Sequence, residues 1–419
     1  MPNSAIRIMH FADVHFGVES YGRHDPATGL STRLLDFRSA LNAAIDIAIQ
    51  ADVELAVFAG DAYKTRDPNQ THQREFAGCL GRLTERGIPV LLLAGNHDVP
   101  NTRGRANSIE IFAALAGEKI TVLDKPGVSQ VITAKGNAVQ VAAVPYLTKS
   151  MLLTREEHAG KGVQETTQAI VDRYVHTIDV LAGECAEHTE LPTIFAGHFT
   201  VTSAKIGANQ SIYLANEPEV PKSALIRSEF DYVALGHIHK FQDLNKSHQP
   251  PVIYCGSIER IDFGERSEAK GFVLADIARG AAEYKFVEVS TRPFVEIDVD
   301  TTRGSDDPTE KILKAIAKED LKNAVVKLSY KIKSEDLPLV RDKDIRAALN
   351  DAFMVVAVHK DIVRDGESVR SKALTESLDP MQALASYLET RETLKSRKDE
   401  LLTYAKPLWD ELESEERLR

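Results

Sequence analysis

The chain has 419 residues, of which 43% are hydrophobic and 27% charged, and a formal net charge of −11. At ~150 residues per domain this length suggests about three domains of ordinary globular composition. The acidity argues against a protein that coats nucleic acid by bulk electrostatics, while leaving room for a local basic rim, a metal site or a basic partner.

The N-terminus, MPNSAIRIMHFADVHFG, enters an apolar strand pattern directly. It lacks the charged and apolar regions of a secretory leader, and no apolar run reaches the ~20 residues of a membrane span. A cytoplasmic protein without a membrane role is expected. Strands are predicted over 6–11, 53–59, 89–94, 139–144, 192–197, 231–236, 252–256, 271–277 and 284–289. Several are continuously apolar, as strands buried on both faces are. LLDFRSALNAAIDIAIQ carries Leu34, Phe37, Leu41, Ile45 and Ala48 on one helical stripe, and QREFAGCLGRLTERG reads as a second helix. Strand–helix alternation predicts a layered α/β architecture. The later strands follow one another quickly, so the sheet is partly antiparallel, and a four-layer αββα sandwich over 1–290 fits. Cys79, Cys185 and Cys255 are far apart in the chain. Without a CxxC they read as buried free thiols.

The pattern changes near RPFVEIDVD. TTRGSDDPTE is a turn or linker, and helix and strand patterns then alternate through KILKAIAKED, NAVVKLSYKI, RDKDIRAALNDAF and MVVAVHKDIV. This is a small α+β domain, assigned to 291–372. The remainder, 377–419, is helical. Asp379 is placed as an N-cap and Pro380 at the first helical position. An unbroken helix is expected over 381–405, interrupted by Pro407 and resumed by LWDELESEERL. It either packs on its own domain or binds a partner.

Ligand-type residues recur at the strand ends. FADVH supplies Asp13 and His15, AGD Asp61, AGNHD Asn96, His97 and Asp98, AGH His198, and LGHIH His237 and His239. Each block alone is an ordinary turn or cap. Together they have little structural explanation, because buried ionisable groups are costly unless paired or metal-bound. In open α/β sheets the functional crevice lies outside the carboxyl ends of the strands, so these residues can converge. The chemistry that uses such a set is a two-metal phosphoesterase. Two cations ~3.5–4 Å apart need a bridging carboxylate, for which Asp61 is the candidate. Oxygen and imidazole donors without thiolate suit Mn2+ or Fe2+, with Zn2+ and Mg2+ less favoured. His97, beside Asn96, is the candidate general acid.

The ordered blocks DxH, GD, GNH, GH and GHxH resemble the calcineurin-like metallophosphoesterase superfamily. That resemblance implies one metal on Asp13, His15, Asp61 and His239, and another on Asp61, Asn96, His198 and His237, with His97 as the acid. The run Gly60-Asp61-Ala62-Tyr63-Lys64-Thr65-Arg66 lacks the Asp-Arg-Gly of phosphoprotein phosphatases. DVHFG with the helix after it, and the block YCGSIERIDFGERSEAKGFVLADI, look like the SbcD-type exonuclease subunit of double-strand-break repair. In that block the matching residues are Gly256, Ser257, Arg260, Phe263, Glu265, Lys270, Gly271 and Phe272. The resemblance implies a manganese-dependent DNA nuclease, 3′-to-5′ on duplex ends and endonucleolytic on single strands or hairpins. It further implies a nuclease domain over 1–290, a capping domain at 291–372, and a 377–419 segment that binds an SbcC-type SMC-like ATPase. A homodimer through helices near 72–86 and 105–116 is implied as well, and nucleoid association if the source is bacterial. Lys64, Arg66, Arg103, Arg105 and Lys205 are candidate DNA contacts.

Lys64 departs from the family pattern, in which this position is commonly Asp or His. A lysine side chain cannot accept a hydrogen bond from His97, but it can meet a phosphate as a point charge. Two other functions compete with the nuclease: a small-molecule phosphodiesterase or phosphatase, and a non-catalytic scaffold of the ATPase. The intact ligand set argues against the scaffold.

Overall fold

A computed structural model of the chain describes residues 5–100, 104–152, 162–207, 209–214, 217–303, 307–363, 380–390 and 392–416. Contacts divide it into two units. One is Met1–Glu296 with Leu321–Val326 and Asp351–Val356; the other is Ile297–Asp320 with Lys327–Asn350 and Ala357–Arg419.

The first unit begins with strands and crossover helices: β1 (Ile6–Phe11), α1 (Thr32–Gln50), β2 (Leu55–Phe58), α2 (Gln70–Thr84), β3 (Val90–Leu93), α3 (Glu110–Ala116) and β4 (Ile120–Leu123). A second series follows: β5 (Gly127–Ile132), β6 (Ala138–Val144), α4 (Val163–Cys185), β7 (Thr193–His198), β8 (Tyr232–Gly236), β9 (Gln242–Asp243) and β10 (Val252–Tyr254). Strands β11 (Gly271–Ala278) and β12 (Ala281–Glu288) then rejoin the first sheet. The two six-stranded sheets have the orders β12-β11-β1-β2-β3-β4 and β5-β6-β7-β8-β10-β9. Strands β1 to β4 run parallel, as do β6, β7, β8 and β10, whereas β11 joins β1 antiparallel.

The continuous apolar runs are explained by the layering. Along β1, Ile6 and Ile8 enter a core shared with Val141, Ile194 and Ala234 of the second sheet, while Met9 and Phe11 face Phe37, Leu41 and Phe76 on α1 and α2. The second sheet repeats this, with Phe195, Val233 and Leu235 packed against Ile170, Tyr174, Ile178 and Leu181 of α4. The order of layers is helices, sheet, sheet, helices, as expected. The stripe predicted on α1 is buried throughout. Helix α2 starts where Asn69 accepts the His72 N–H at 2.9 Å, three residues before the expected start. Strands β4, β5 and β9 and helix α4 are additions to the predicted set.

Beyond residue 293 come β13 (Phe294–Asp300), α5 (Pro308–Ile316), β14 (Val325–Lys333), α6 (Asp342–Ala348) and β15 (Met354–Val363), with the strands in the order β13-β14-β15. Asp307 caps α5 by accepting from Thr309 and Glu310, and Pro308 occupies the first turn. The expected N-cap Asp379 lies outside the described residues.

The C-terminal helix differs from expectation. It is divided into α7 (Pro380–Thr390), a short turn of helix at Glu392–Lys395, and α8 (Lys398–Glu416). The break falls before Lys398, and Pro407 sits inside α8. Folding back lets Met381 and Ala385 share an apolar groove with Leu402 and Pro407, and lets Lys398 reach Glu389 at 2.8 Å. A single straight helix would leave that stripe in water. Pro407 and its neighbours in the preceding turn are exposed, so the carbonyl that loses its partner can bond water. All three cysteines are buried and unpaired. No helix among the described residues is long and apolar enough to cross a membrane.

Candidate metal centre

The parallel strands of both sheets deliver their carboxyl ends to one place. Asp13 and His15 follow β1, Asp61 follows β2, Asn96 and His97 follow β3, His198 ends β7, and His237 and His239 follow β8. The backbone turns sharply there: φ is positive at Asp13 (51°), His15 (48°), Asp61 (62°) and His237 (91°). Such conformations are costly for residues with a Cβ and persist where the surrounding structure enforces them, typically at functional sites. The glycines before the ligands are required by close approach. A Cβ on Gly60 would collide with the His198 ring, and one on Gly95 with the Asp61 carboxylate.

Three overlapping groups bring potential ligand atoms within 4.8 Å of one another: Asp13, His15 and His239; His15, Asp61 and His97; Asp61, His198 and His237. His15 Nε2 faces His239 Nε2 at 3.1 Å, and Asn96 Oδ1 stands 3.1 Å from His198 Nε2 and 3.0 Å from His237 Nδ1. Adjacent donors around a hexacoordinate ion with ~2.1 Å bonds are ~3.0 Å apart, so this spacing suits a divalent cation. Asp61 lies between the groups. Its Oδ2 is 3.6 Å from His15 Nε2 and 3.5 Å from His198 Nε2, while Oδ1 accepts the His97 N–H at 2.8 Å.

The imidazoles of His198, His237 and His239 are each oriented by a partner on the other nitrogen, whereas His15 Nδ1 is buried without one. His198 Nδ1 donates to the Ala59 carbonyl at 2.7 Å, which aims Nε2 at Asp61. His239 Nδ1 pairs with Glu265 at 2.8 Å, and His237 uses its Nε2 for Glu217 at 2.7 Å, so the two rings present opposite nitrogens. Burial alone would lower the His198 imidazole, but Asp61 raises it to about 9. Burial alone would raise the Glu265 carboxyl, and Lys270 and His239 together hold it well below the usual range. His97 donates Nδ1–H to the Lys64 carbonyl at 2.7 Å and packs edge-on to His15, with centroids 5.0 Å apart. Burial lowers its imidazole against the pull of Asp61.

The family described as calcineurin-like phosphoesterase matches residues 6–241, more than half of the chain and every ligand position above. This chain is a calcineurin-like phosphoesterase. The family implies two divalent metals, and the donor set fits them. The DNA double-strand break repair protein Mre11 of Haloferax volcanii is 24% identical over 94% of this chain and 78% of its own length. The SbcD component of the SbcCD nuclease of Escherichia coli is 27% identical over 66% of each chain, and that of Bacillus subtilis 26% over 70% of this chain and 72% of its own.

The basic candidates of this phosphoesterase are dispersed. Lys64 is exposed, its N–H bound to the Phe16 carbonyl at 2.9 Å, and its charge depresses both His15 and His97. Arg66 is exposed and close enough to act on the Tyr146 hydroxyl. Arg105 pairs with Asp67 at 2.5 Å. The Lys205 side chain is exposed while its N–H is held by Gln242 at 2.7 Å. Arg103 lies outside the described residues.

Sequence reasoning gave no role to several supporting residues. Asp98 is fully buried and accepts from the backbone N–H groups of Asp61 (2.8 Å), Ala62 (3.1 Å) and Gly95 (2.9 Å) and from Ser108 Oγ (3.2 Å), tying the β2 and β3 loops together. Gln210 donates to the His237 carbonyl at 2.6 Å. Glu265 and Lys270 lie in a block whose resemblance marked them without a function. Glu217 carried no signal at all.

Proposed function

We propose that this chain is the nuclease subunit of a DNA double-strand-break repair complex, cutting phosphodiesters with two metals. The observation that carries the reading is the Asp61 carboxylate between two imidazole-rich groups. The first ion would be held by Asp13, His15, Asp61 and His239, and the second by Asp61, Asn96, His198 and His237. When bound, the ions supply Lewis acidity toward a phosphoryl oxygen and lower the pKa of an attacking water. Mn2+ is favoured because the donors are carboxylate, amide and imidazole without thiolate. His97, fixed through Nδ1 by the Lys64 carbonyl, offers Nε2 for proton transfer to the leaving oxygen. Lys64 and Arg66 meet the DNA backbone, with Arg103, Arg105 and Lys205 as further contacts.

The resemblance to SbcD-type subunits, and relatives named as double-strand-break repair and SbcCD proteins, support DNA as the substrate. The resemblance of the sequence blocks further implies 3′-to-5′ exonuclease action on duplex ends and endonuclease action on single strands or hairpins. On this reading 291–372 caps the nuclease domain. The segment 377–419 binds the SMC-like ATPase, for which the exposed Tyr404 and Leu408 of α8 are suited. Helices α2 and α3, with Ile111 and Leu115 exposed on α3, are the surfaces for a homodimer.

Turnover of duplex DNA with Mn2+, alone and with the ATPase partner, tests the proposal against bis-p-nitrophenyl phosphate and nucleotides as small esters. DNA cleavage that requires Asp61 is expected. Hydrolysis confined to the small esters, with the partner present, would replace the nuclease by a small-molecule phosphodiesterase.

A further inference from the structure

Lys270 is a completely buried lysine. Its ammonium donates to the His239 carbonyl (3.0 Å), Ser257 Oγ (2.9 Å) and Glu268 (3.0 Å), and lies 2.8 Å from Glu265 Oε2. Glu265 in turn uses Oε1 to accept from His239 Nδ1 at 2.8 Å, while Oε2 accepts the Ile261 N–H at 3.0 Å. Burying such a cluster is expensive in desolvation, and well-packed apolar side chains would serve stability as well or better. What the cluster adds is geometry. Lys270 precedes β11 in the first sheet, and its carbonyl is pinned by the Val289 N–H at 2.9 Å. His239 follows β8 in the second sheet. Lys270 therefore grips, from one sheet, the histidine that the other sheet brings opposite His15.

We propose that Lys270 is a positioning residue for the first metal, acting through Glu265 and the His239 carbonyl to set which nitrogen His239 presents and how far it reaches toward His15. The inference rests on reading His239 as a ligand of that metal. The other ligand histidines are held differently. His198 leans on the neutral Ala59 carbonyl, and Glu217, the partner of His237, is bonded to Thr200 at 3.1 Å and pairs with no lysine or arginine among the described residues. The relay thus belongs to one site of the two, and its loss should weaken one binding event and spare the other.

The test is calorimetric titration of the metal-free full chain with Mn2+, with thermal unfolding of the same samples. A charge-balanced variant, Lys270→Met with Glu268→Gln, and a separate Glu265→Gln should each weaken one Mn2+ event ~10–100-fold, the usual cost of losing such a partner. The second event should stay near wild type, and each variant should remain folded, with a metal-free melting temperature lowered by the buried partners it leaves unpaired. Lys270→Arg, which keeps the charge, should recover part of the affinity. Two Mn2+ events of wild-type affinity in either folded variant would overturn the proposal. If the Lys270→Met variant does not fold, Glu265→Gln, nearly isosteric, decides it alone, and its failure to fold would assign the cluster to stability and overturn the proposal as well. His239→Ala is the control: loss of one event upholds the ligand reading independently of the relay, and retention of both would show that the ligand reading itself fails.

Discussion

Lys64→Ala separates two ways in which residue 64 can serve catalysis. His97 Nδ1 is held by the Lys64 backbone carbonyl at 2.7 Å, and the His97 N–H is held by Asp61 Oδ1 at 2.8 Å. Neither bond involves the lysine side chain, so both survive the substitution. The variant loses an exposed ammonium, whose charge acts on the His97 imidazole less than burial does. A solvent-exposed ion pair is worth ~0.2–1 kcal/mol, which corresponds to roughly a 1.5–5-fold rise in KM for duplex DNA. The dependence of binding on salt should shallow by about one phosphate contact. The kcat on bis-p-nitrophenyl phosphate should remain within about twofold. His97→Asn removes the proton-transfer group and should lower kcat ~10²–10⁴-fold on DNA, whose alkoxide needs a proton to leave, and far less on bis-p-nitrophenyl phosphate, whose p-nitrophenolate departs without one. In the double variant the two effects should add in free energy, because one acts on binding and the other on chemistry. Steady-state kinetics with Mn2+ on both substrates measures all of this. A 100-fold or greater loss of kcat on saturating DNA in Lys64→Ala, with both Mn2+ ions still bound, would refute the reasoning and place the ammonium in the proton-transfer step.

Asp61→Asn should weaken both Mn2+ binding events, whereas Asn96→Ala should weaken one, since Asp61 stands between the two groups; calorimetric titration distinguishes them. Asp98→Ala leaves three buried backbone N–H groups without their acceptor, at ~1 kcal/mol or more each, and should destabilise the metal-free protein by about 3 kcal/mol in urea unfolding. His10, fully buried 3.0 Å from the Tyr232 hydroxyl, has its imidazole lowered from 6.5 to about 3 by burial. Its contribution to stability is complete above pH 6.5 and is lost as pH falls toward 3, because only the unfolded chain takes up the proton. At pH 5 the loss is about 1.5 pH units, or roughly 2 kcal/mol. His10→Asn should flatten that part of the pH dependence of unfolding, and an unchanged slope between pH 7 and 5 would exclude His10 as its source.

The positions that converge at the candidate metal centre were legible because strand ends with small residues and His, Asp or Asn are a local pattern. Asp13 to His239 could be read without any knowledge of how the sheets meet. The partners that aim those ligands were not legible. Glu217 reaches His237 from a connecting segment, and its surroundings in the chain have no periodicity or motif. The positive φ values at Asp13, His15, Asp61 and His237 are imposed by the site, against the preference of the residues themselves. Strand β5 escaped notice because most of it is partly exposed, whereas the α4 stripe of Ile170, Tyr174, Ile178 and Leu181 keeps helical spacing and was readable in the chain. At the C-terminus, Pro407 is a valid breaking signal that packing overrode. The need to cover the α7 stripe set the bend before Lys398 instead. His97 Nδ1 finds its acceptor in the Lys64 backbone carbonyl, which side-chain reasoning does not consider.

The division of ligands between the sheets has a bearing on biosynthesis. The first sheet supplies Asp13, His15, Asp61 and Asn96, but the imidazoles of His198, His237 and His239 arrive only with β7 and β8 of the second. A chain still emerging from the ribosome, with β1 to β4 complete, holds neither metal site in full. A copy that stops before His239 lacks at least one of these imidazoles, and one that stops before β7 lacks all three.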